Sequence, residues 1–352
     1  MGAGGGISLD RVGRPIHRDA IGDGSEPSLT AYTELMRRCG ITIVLLVMLA
    51  GKAWSAPSLA PGDYRFTLTS GGRERSYLVH VPASHPALPA VVLNFHGGAG
   101  NAKGQEKYSG MDKSSDRDGY LAVYPNGTGR LENRVLSWNA GTCCGYAMKN
   151  NVDDVAFTLA LLDDLAAKTP IDRRRVYATG LSNGAMMAYR LAVEAGDRIA
   201  AIAPVAGSMV LLLFHPTRPM PIMHIHSADD PRALYNGGLG PPFAFTDART
   251  LHPNVEQVLA QWRKFDDCPS APKVDLTLKG KSDGPDDGNT ATEYAWSPCA
   301  DGTEIVLWKL TGSGHVWPGG TRDFYPRLLG KGTAVIDANR QMWHFFQRFA
   351  LP

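Results

Sequence analysis

From residue 77 onward, short apolar runs rich in β-branched residues alternate with stretches of helical period. The runs at 77–81, 90–95, 120–124, 175–179, 200–206, 221–226 and 304–310 read as strands. Between them, 152–168 (VDDVAFTLALLDDLAAK), 183–195, 254–265 and 339–349 place apolar residues at the spacing of an amphipathic helix. Strands that alternate with helices are joined by crossovers, so the pattern predicts an α/β fold with a mostly parallel sheet and helices on both faces. The Pro- and Gly-rich stretch before residue 77 reads as a leader, and KGKSDGPDDGNT at 279–290 as a polar loop excursion before the last strand. With no internal repeat, residues 57–352 are expected to form one domain.

The N-terminal region has a different pattern. Arg37 and Arg38 follow Met36, an apolar run covers 41–50, and small residues come next, which is the order of a secretory signal peptide over 36–56. Ten apolar residues are half of the roughly 20 that a spanning helix needs, so no stable membrane insertion is expected after cleavage, at Ala53 or Ala56. Residues 1–35 are polar and Gly-rich, and read as a disordered upstream extension with translation starting at Met36. The mature protein is expected outside the cytoplasm, periplasmic or extracellular.

Composition narrows the classes. The chain has 352 residues, 43% of them hydrophobic and 20% charged, which is too apolar for a disordered protein. With 36 Lys+Arg against 34 Asp+Glu and no long run of like charge, it lacks the electrostatic footprint of a nucleic-acid partner. The cysteines, Cys39, Cys143, Cys144, Cys268 and Cys299, lack the spacing of a structural zinc site. Loss of Cys39 with the signal leaves four, and disulfides are the expectation in an oxidising compartment.

The candidate chemistry centres on Gly180-Leu181-Ser182-Asn183-Gly184, which follows a strand and precedes a helix. This is the context of a nucleophile elbow: a serine held in a strained turn, with glycines where neighbouring backbones must come close. The helix N-terminus beneath it favours the oxyanion of acyl transfer. The alternative is a serine that caps a helix. His96-Gly97-Gly98-Ala99 ends an earlier strand and nominates the Gly98 N–H, with Ala99 as fallback, to complete an oxyanion hole with the Asn183 N–H.

Downstream of the serine, Asp229 and Asp230 end the strand at 221–226, and His315 lies in GSGHVWPGG after the last strand. Ser182, Asp230 and His315 follow the order nucleophile, acid, base of an α/β-hydrolase triad. His224 and His226 alternate on one strand, so a metal site there is the competing reading, although no third ligand can be placed. His344 reads as structural, and Asp153 and Asp154 as carboxylates favoured at a helix start. No metal or cofactor is expected.

These motifs carry a resemblance. HGGAGNAKG, WNAGTCCGYA followed by VDDVAF, ATGLSNGAMMAYRLA, HIHSADDPRALYNGG and GSGHVWPGG, in this order, resemble the secreted polyhydroxybutyrate depolymerase and feruloyl esterase group, similar to carbohydrate esterase family one within the α/β-hydrolases. The resemblance covers about 77–320 and matches the group's acid to Asp230, with Asp229 as its neighbour; Ser227 replaces a usual Gly and Leu234 a common Pro. It implies a serine esterase acting through an acyl-enzyme on a polyester such as poly(3-hydroxybutyrate) or its oligomers, or on feruloyl or acetyl esters of polysaccharide. Trp138 and Trp317 become candidate substrate-binding residues. An acyltransferase of mycolyltransferase type and a non-catalytic polymer-binding module are the alternatives. Cys268, after one helix, and Cys299, before the last strand, are expected to pair; Cys143 and Cys144 are either two buried thiols or a strained adjacent pair.

Overall fold

The computed structural model describes residues 57–242, 249–322 and 325–352, so the signal peptide and the upstream extension read from the sequence lie outside the described residues. The described strands and helices, in chain order, are β1 (Gly62–Ser70), β2 (Arg73–Val81), β3 (Val91–Phe95), α1 (Ala102–Ser109), α2 (Met111–Asp118), β4 (Leu121–Pro125), α3 (Gly145–Lys149), α4 (Asp154–Lys168), β5 (Val176–Leu181) and α5 (Asn183–Glu194). They continue with β6 (Ala201–Val205), β7 (Ile222–Ser227), β8 (Gly238–Leu239), β9 (Leu251–His252), α6 (Val255–Phe265), β10 (Lys273–Lys279), β11 (Thr290–Trp296), β12 (Ile305–Thr311), α7 (Pro326–Leu329) and α8 (Ala338–Phe346).

Ten strands form one sheet in the order β1-β2-β4-β3-β5-β6-β7-β12-β11-β10. The six central strands, β4 to β12 in that order, are parallel, and antiparallel strands extend both edges. The central strands are buried on both faces, as a sheet with helices on each side requires. Alternate residues feed two cores: Val91, Leu93 and Phe95 of β3 meet α4, α5 and α6, whereas Val92 faces the side covered by α1, α2 and α8.

The segment read as a leader is β1. Its half-buried Tyr64, Phe66 and Leu68 alternate with exposed polar residues, and the strand pairs with β2 along its whole length. The polar stretch 279–290 links β10 to β11 and is not free: Asp286 pairs with Arg322 at 2.7 Å and accepts from the Ala334 N–H at 3.2 Å, which docks the turn on the segment after His315. β10 is the outer strand on that side, with Lys273 and Lys279 at its ends, Val274 and Leu276 exposed, and a register break between them.

Cys268 and Cys299 are disulfide-bonded, tying the end of α6 to the connection that enters β12. Cys143 and Cys144 are joined as well. Among the described residues no helix is long and apolar enough to cross a membrane.

Candidate active site

β5 delivers the chain into the elbow, and α5 begins at Asn183. Ser182 has φ 59° and ψ −119°, a conformation that L residues other than Gly avoid. The turn holds because its amide donates to the Val205 carbonyl at 2.9 Å and its carbonyl accepts from Met186 at 3.0 Å. The Ser182 side chain makes no capping hydrogen bond, so the capping alternative does not account for it. The glycines are required by close approach: a Cβ on Gly180 would lie 2.6 Å from the Phe95 carbonyl oxygen, and one on Gly184 would overlap the same peptide.

β7 and β12 bring the acid and base together. His315 Nδ1 lies 2.7 Å from Asp230 Oδ2, and both side chains are buried. Asp230 Oδ1 accepts from the amides of Arg232 (2.7 Å) and Ala233 (2.9 Å). Burial would raise the Asp230 carboxyl, but the charge of His315 and the hydrogen bonds from His226 and His315 outweigh it and hold the group well below the usual carboxylate range. Asp229 is exposed and turns the other way, accepting from the Gly312 amide at 2.7 Å, so it anchors the end of β12.

His224 and His226 support the acid. Hydrogen-bond logic assigns one chain of donors: Tyr189 OH to His224 Nδ1 (2.9 Å), His224 Nε2–H to His226 Nδ1 (3.0 Å), and His226 Nε2–H to the Ala233 carbonyl (2.8 Å), with Asp230 Oδ2 at 3.3 Å. Every ring nitrogen is engaged, which leaves no free lone pair for a metal and favours hydrogen bonding over the competing metal reading. Burial and the neighbouring His226 keep His224 well below the ordinary histidine value, hence neutral.

The turn after β3 lies against the elbow: a Cβ on Gly97 would meet Ser182 Cβ at 3.5 Å. The Ala99 amide is committed to the Leu136 carbonyl at 2.8 Å, which leaves Gly98, also on the cavity wall, as the stronger of the two candidates. His96 fixes that turn. Its Nε2 accepts from the Gly127 amide (3.0 Å), which places the proton on Nδ1, donating to the Gly97 carbonyl (2.7 Å). Burial lowers its pKa to about 4, so the imidazole stays neutral.

Asn183 is the other oxyanion candidate, and its side chain has a second task. Its Oδ1 accepts from the Trp138 amide (2.7 Å) and its Nδ2 donates to the Trp138 carbonyl (3.1 Å). That clamp explains where Trp138 goes. The indole is fully buried against Phe95 and His96 and donates to the His96 carbonyl at 2.9 Å. Trp138 therefore packs beneath the site and does not line it. Trp317 is likewise buried, its Nε1–H donating to Asn339 Oδ1 at 3.0 Å. Both indoles are spent on packing and on an internal acceptor, and neither lines the cavity that holds Ser182.

Asp153 caps α4 through the Ala156 amide (2.9 Å). Asp154, expected to act in the same way, instead forms a buried ion pair with Arg75 (2.7 Å) and accepts from the Asn139 amide (2.8 Å), fixing the loop that carries Trp138. His344 is exposed on α8.

Gly98, Ser182 and His315 line one cavity of about 110 Å³. Its apolar wall comes from Cys143, Cys144, Met186, Leu328 and Leu329, and its polar rim includes Arg232, Thr250 and His252. Sequence reasoning missed His252. Its Nδ1 is buried without a hydrogen-bond partner, and burial together with the neighbouring His315 lowers its pKa to about 4, so it presents a neutral imidazole to the cavity. It stands outside every motif, and only tertiary structure brings it beside His315.

The sheet order with an elbow at the end of β5 defines an α/β-hydrolase fold. Solved structures agree on the fold: an acetyl xylan esterase from Aspergillus awamori superposes with a TM-score of 0.51 at 16% identity, covering 81% of this chain and 99% of that one. Residues 75–262 match the family model described as esterase PHB depolymerase, and the chain belongs to that family. A putative esterase of Nocardia uniformis subsp. tsuyamanensis is 30% identical over 267 residues, 74% of this chain and 75% of that protein. Feruloyl esterase B of Piromyces equi is 26% identical over 79% of this chain, which spans 46% of that protein. Poly(3-hydroxyalkanoate) depolymerase C of Paucimonas lemoignei is 25% identical over 74% of this chain and 63% of its own length. The protein is a carboxylic ester hydrolase.

Proposed function

We propose that the protein is a secreted serine esterase in which Ser182 is the nucleophile, His315 the general base and then acid, and Asp230 the group that orients the imidazole. The carrying observation is the 2.7 Å contact of Asp230 with His315, which shares the wall of one cavity with Ser182 in its strained elbow. With Nδ1–H directed at Asp230, Nε2 has its lone pair free to take the Ser182 proton. Attack on the ester carbonyl forms a tetrahedral intermediate whose oxygen is met by the amides of Gly98 and Asn183. Collapse releases the alcohol and leaves an acyl-enzyme, which water cleaves with His315 again acting as base. The substrate is a polyester such as poly(3-hydroxybutyrate) or its oligomers, or a feruloyl or acetyl ester of polysaccharide; the relatives' names support this range, and the apolar wall of the cavity suits an acyl group.

The test is a panel of p-nitrophenyl acyl esters, methyl ferulate and dispersed polyhydroxybutyrate with the purified mature chain, alongside diisopropyl fluorophosphate labelling. One adduct per chain on the Ser182 peptide is expected, with activity unchanged in EDTA. Labelling elsewhere, or loss of activity in EDTA restored by zinc, refutes the serine mechanism.

A further inference from the structure

A second, larger cavity of about 380 Å³ lies apart from Ser182, between α6 and the β11–β12 pair. Glu256, Leu259 and Arg263 face it from α6 at helical spacing, Tyr294 and Trp296 from alternate positions of β11, and Leu307 and Lys309 from alternate positions of β12. Its size falls in the range of small-molecule sites, which run from about 300 to 1,000 Å³.

The charges on its wall do not balance. Glu256 is already taken, receiving Lys309 Nζ and the Tyr235 hydroxyl, each at 2.9 Å. Among the described residues Arg263 makes no ion pair and no side-chain hydrogen bond, and its Nε is buried without an acceptor. Its guanidinium lies 4.4 Å from the centre of the Trp296 ring, and the buried Trp296 indole N–H also lacks an acceptor. Arg263 itself is only half-buried, but its Nε–H and the Trp296 N–H are two neighbouring donors shielded from water without acceptors, which is costly unless an oxygen-rich group meets both. The rest of the lining is Tyr294, Pro272, Leu259 and Leu307, an apolar surface that suits the face of a six-membered ring.

We propose that this cavity is a binding site for a carboxylate attached to a six-membered ring directly or through a two-carbon arm, the carboxylate held by Arg263 and the Trp296 N–H and the ring resting on Tyr294. An aryl acid and a uronic sugar share that chemistry. The site is separate from the Ser182 centre, and binding there does not depend on the serine mechanism.

Calorimetric titration with ferulate, glucuronate and acetate tests this, on untreated protein and on protein with Ser182 blocked by diisopropyl fluorophosphate. Ferulate or glucuronate should bind one per chain in both forms, and whichever binds identifies an aryl or a sugar source; acetate should bind at least tenfold more weakly. Arg263→Gln should weaken the bound acid at least tenfold while p-nitrophenyl acetate turnover is unchanged, and Arg263→Lys should restore part of the loss. Trp296→Phe, which keeps the ring and removes the N–H, should weaken it severalfold. Absence of binding by both ring acids, equal binding of acetate, equal affinity in Arg263→Gln, or loss of binding on blocking Ser182 would each overturn the proposal. If the reagent fails to label Ser182, the serine mechanism falls, and the comparison of wild type with Arg263→Gln still decides this site.

Discussion

Replacing Asp230 by Asn changes one atom, and its surroundings dictate how that atom must sit. The oxygen of the new amide can stay where Oδ1 now accepts the Arg232 and Ala233 amides, at 2.7 and 2.9 Å. The NH2 group then faces His315 Nδ1, 2.7 Å from the position of Oδ2. Flipping the amide would aim the NH2 at two backbone donors, a worse arrangement than its single longer approach to His226 at 3.3 Å. An NH2 facing Nδ1 must donate to it, which forces the imidazole proton onto Nε2, where it faces Ser182. The base then has no lone pair for the serine proton. In triads of this geometry the wrong tautomer costs about 10⁴-fold in kcat, or about 5 kcal/mol at 1.36 kcal/mol per decade. Stopped-flow or steady-state hydrolysis of p-nitrophenyl acetate measures the loss, with circular dichroism to show that the fold persists. Asp229→Asn, which perturbs only an exposed carboxylate on the Gly312 amide, should stay within severalfold of wild type. Because the Asp230 pKa is depressed, its contribution to stability is present above the unfolded value near 4 and is lost as pH falls below it; the Asp230→Asn protein should lack that acid-side slope. An Asp230→Asn enzyme retaining more than a tenth of wild-type turnover, or an Asp229→Asn enzyme equally impaired, would refute the reasoning.

Three further outcomes are expected. Ser182→Ala and His315→Ala should each remove most turnover and the double variant little more, because the pair acts as one unit; a double variant far slower than either single, in the same ester assay, would contradict this. Cys299→Ser opens the 31-residue separation from Cys268 and should lower unfolding free energy by about 3 to 4 kcal/mol in the chain-entropy account, read from urea denaturation. Asp266 is buried, with Oδ1 unpartnered and a pKa pushed up to about 7 by burial. Between the unfolded carboxyl value near 4 and about 7 the folded state holds a proton that the unfolded state has lost, so stability should fall with rising pH by at most about 1.4 kcal/mol per unit. Asp266→Asn should flatten that slope in thermal scans between pH 4 and 8.

What the sequence disclosed depended on how much of each signal is local. The step from β5 through the elbow to α5 was legible because strand, glycines and helix start are contiguous. The helices α1 and α2 were not, because AKGQEKYS and MDKSSDRD carry almost no apolar stripe; they are delimited by the Asn101 cap and by Gly110 and Gly119 in the left-handed region. β1 and β10 were passed over for a related reason, since β1 only half-buries its alternate side chains and β10 leaves all but Leu278 exposed. In the site, Ser182, Asp230 and His315 each end a strand or sit in a loop of small residues. Trp138 and Trp317 are buried away from the Ser182 cavity, which was not legible because a sequence places an indole near a motif without saying which way it points, and His252 was invisible because its neighbours are distant in the chain.

The outer edge of β10 bears on how the protein behaves in a crowded solution. An exposed strand with Val274 and Leu276 on it is a template on which a second molecule can add its own strand. Two copies of β10 aligned antiparallel about Leu276 would set Lys273 of each against Lys279 of the other, like charges meeting at both ends of the ladder. The break in register beside Val274 interrupts the even row of amides that such a ladder needs. The ten-stranded sheet therefore ends at β10 with its own obstacle to growth, one that disfavours the addition of a second copy at this edge.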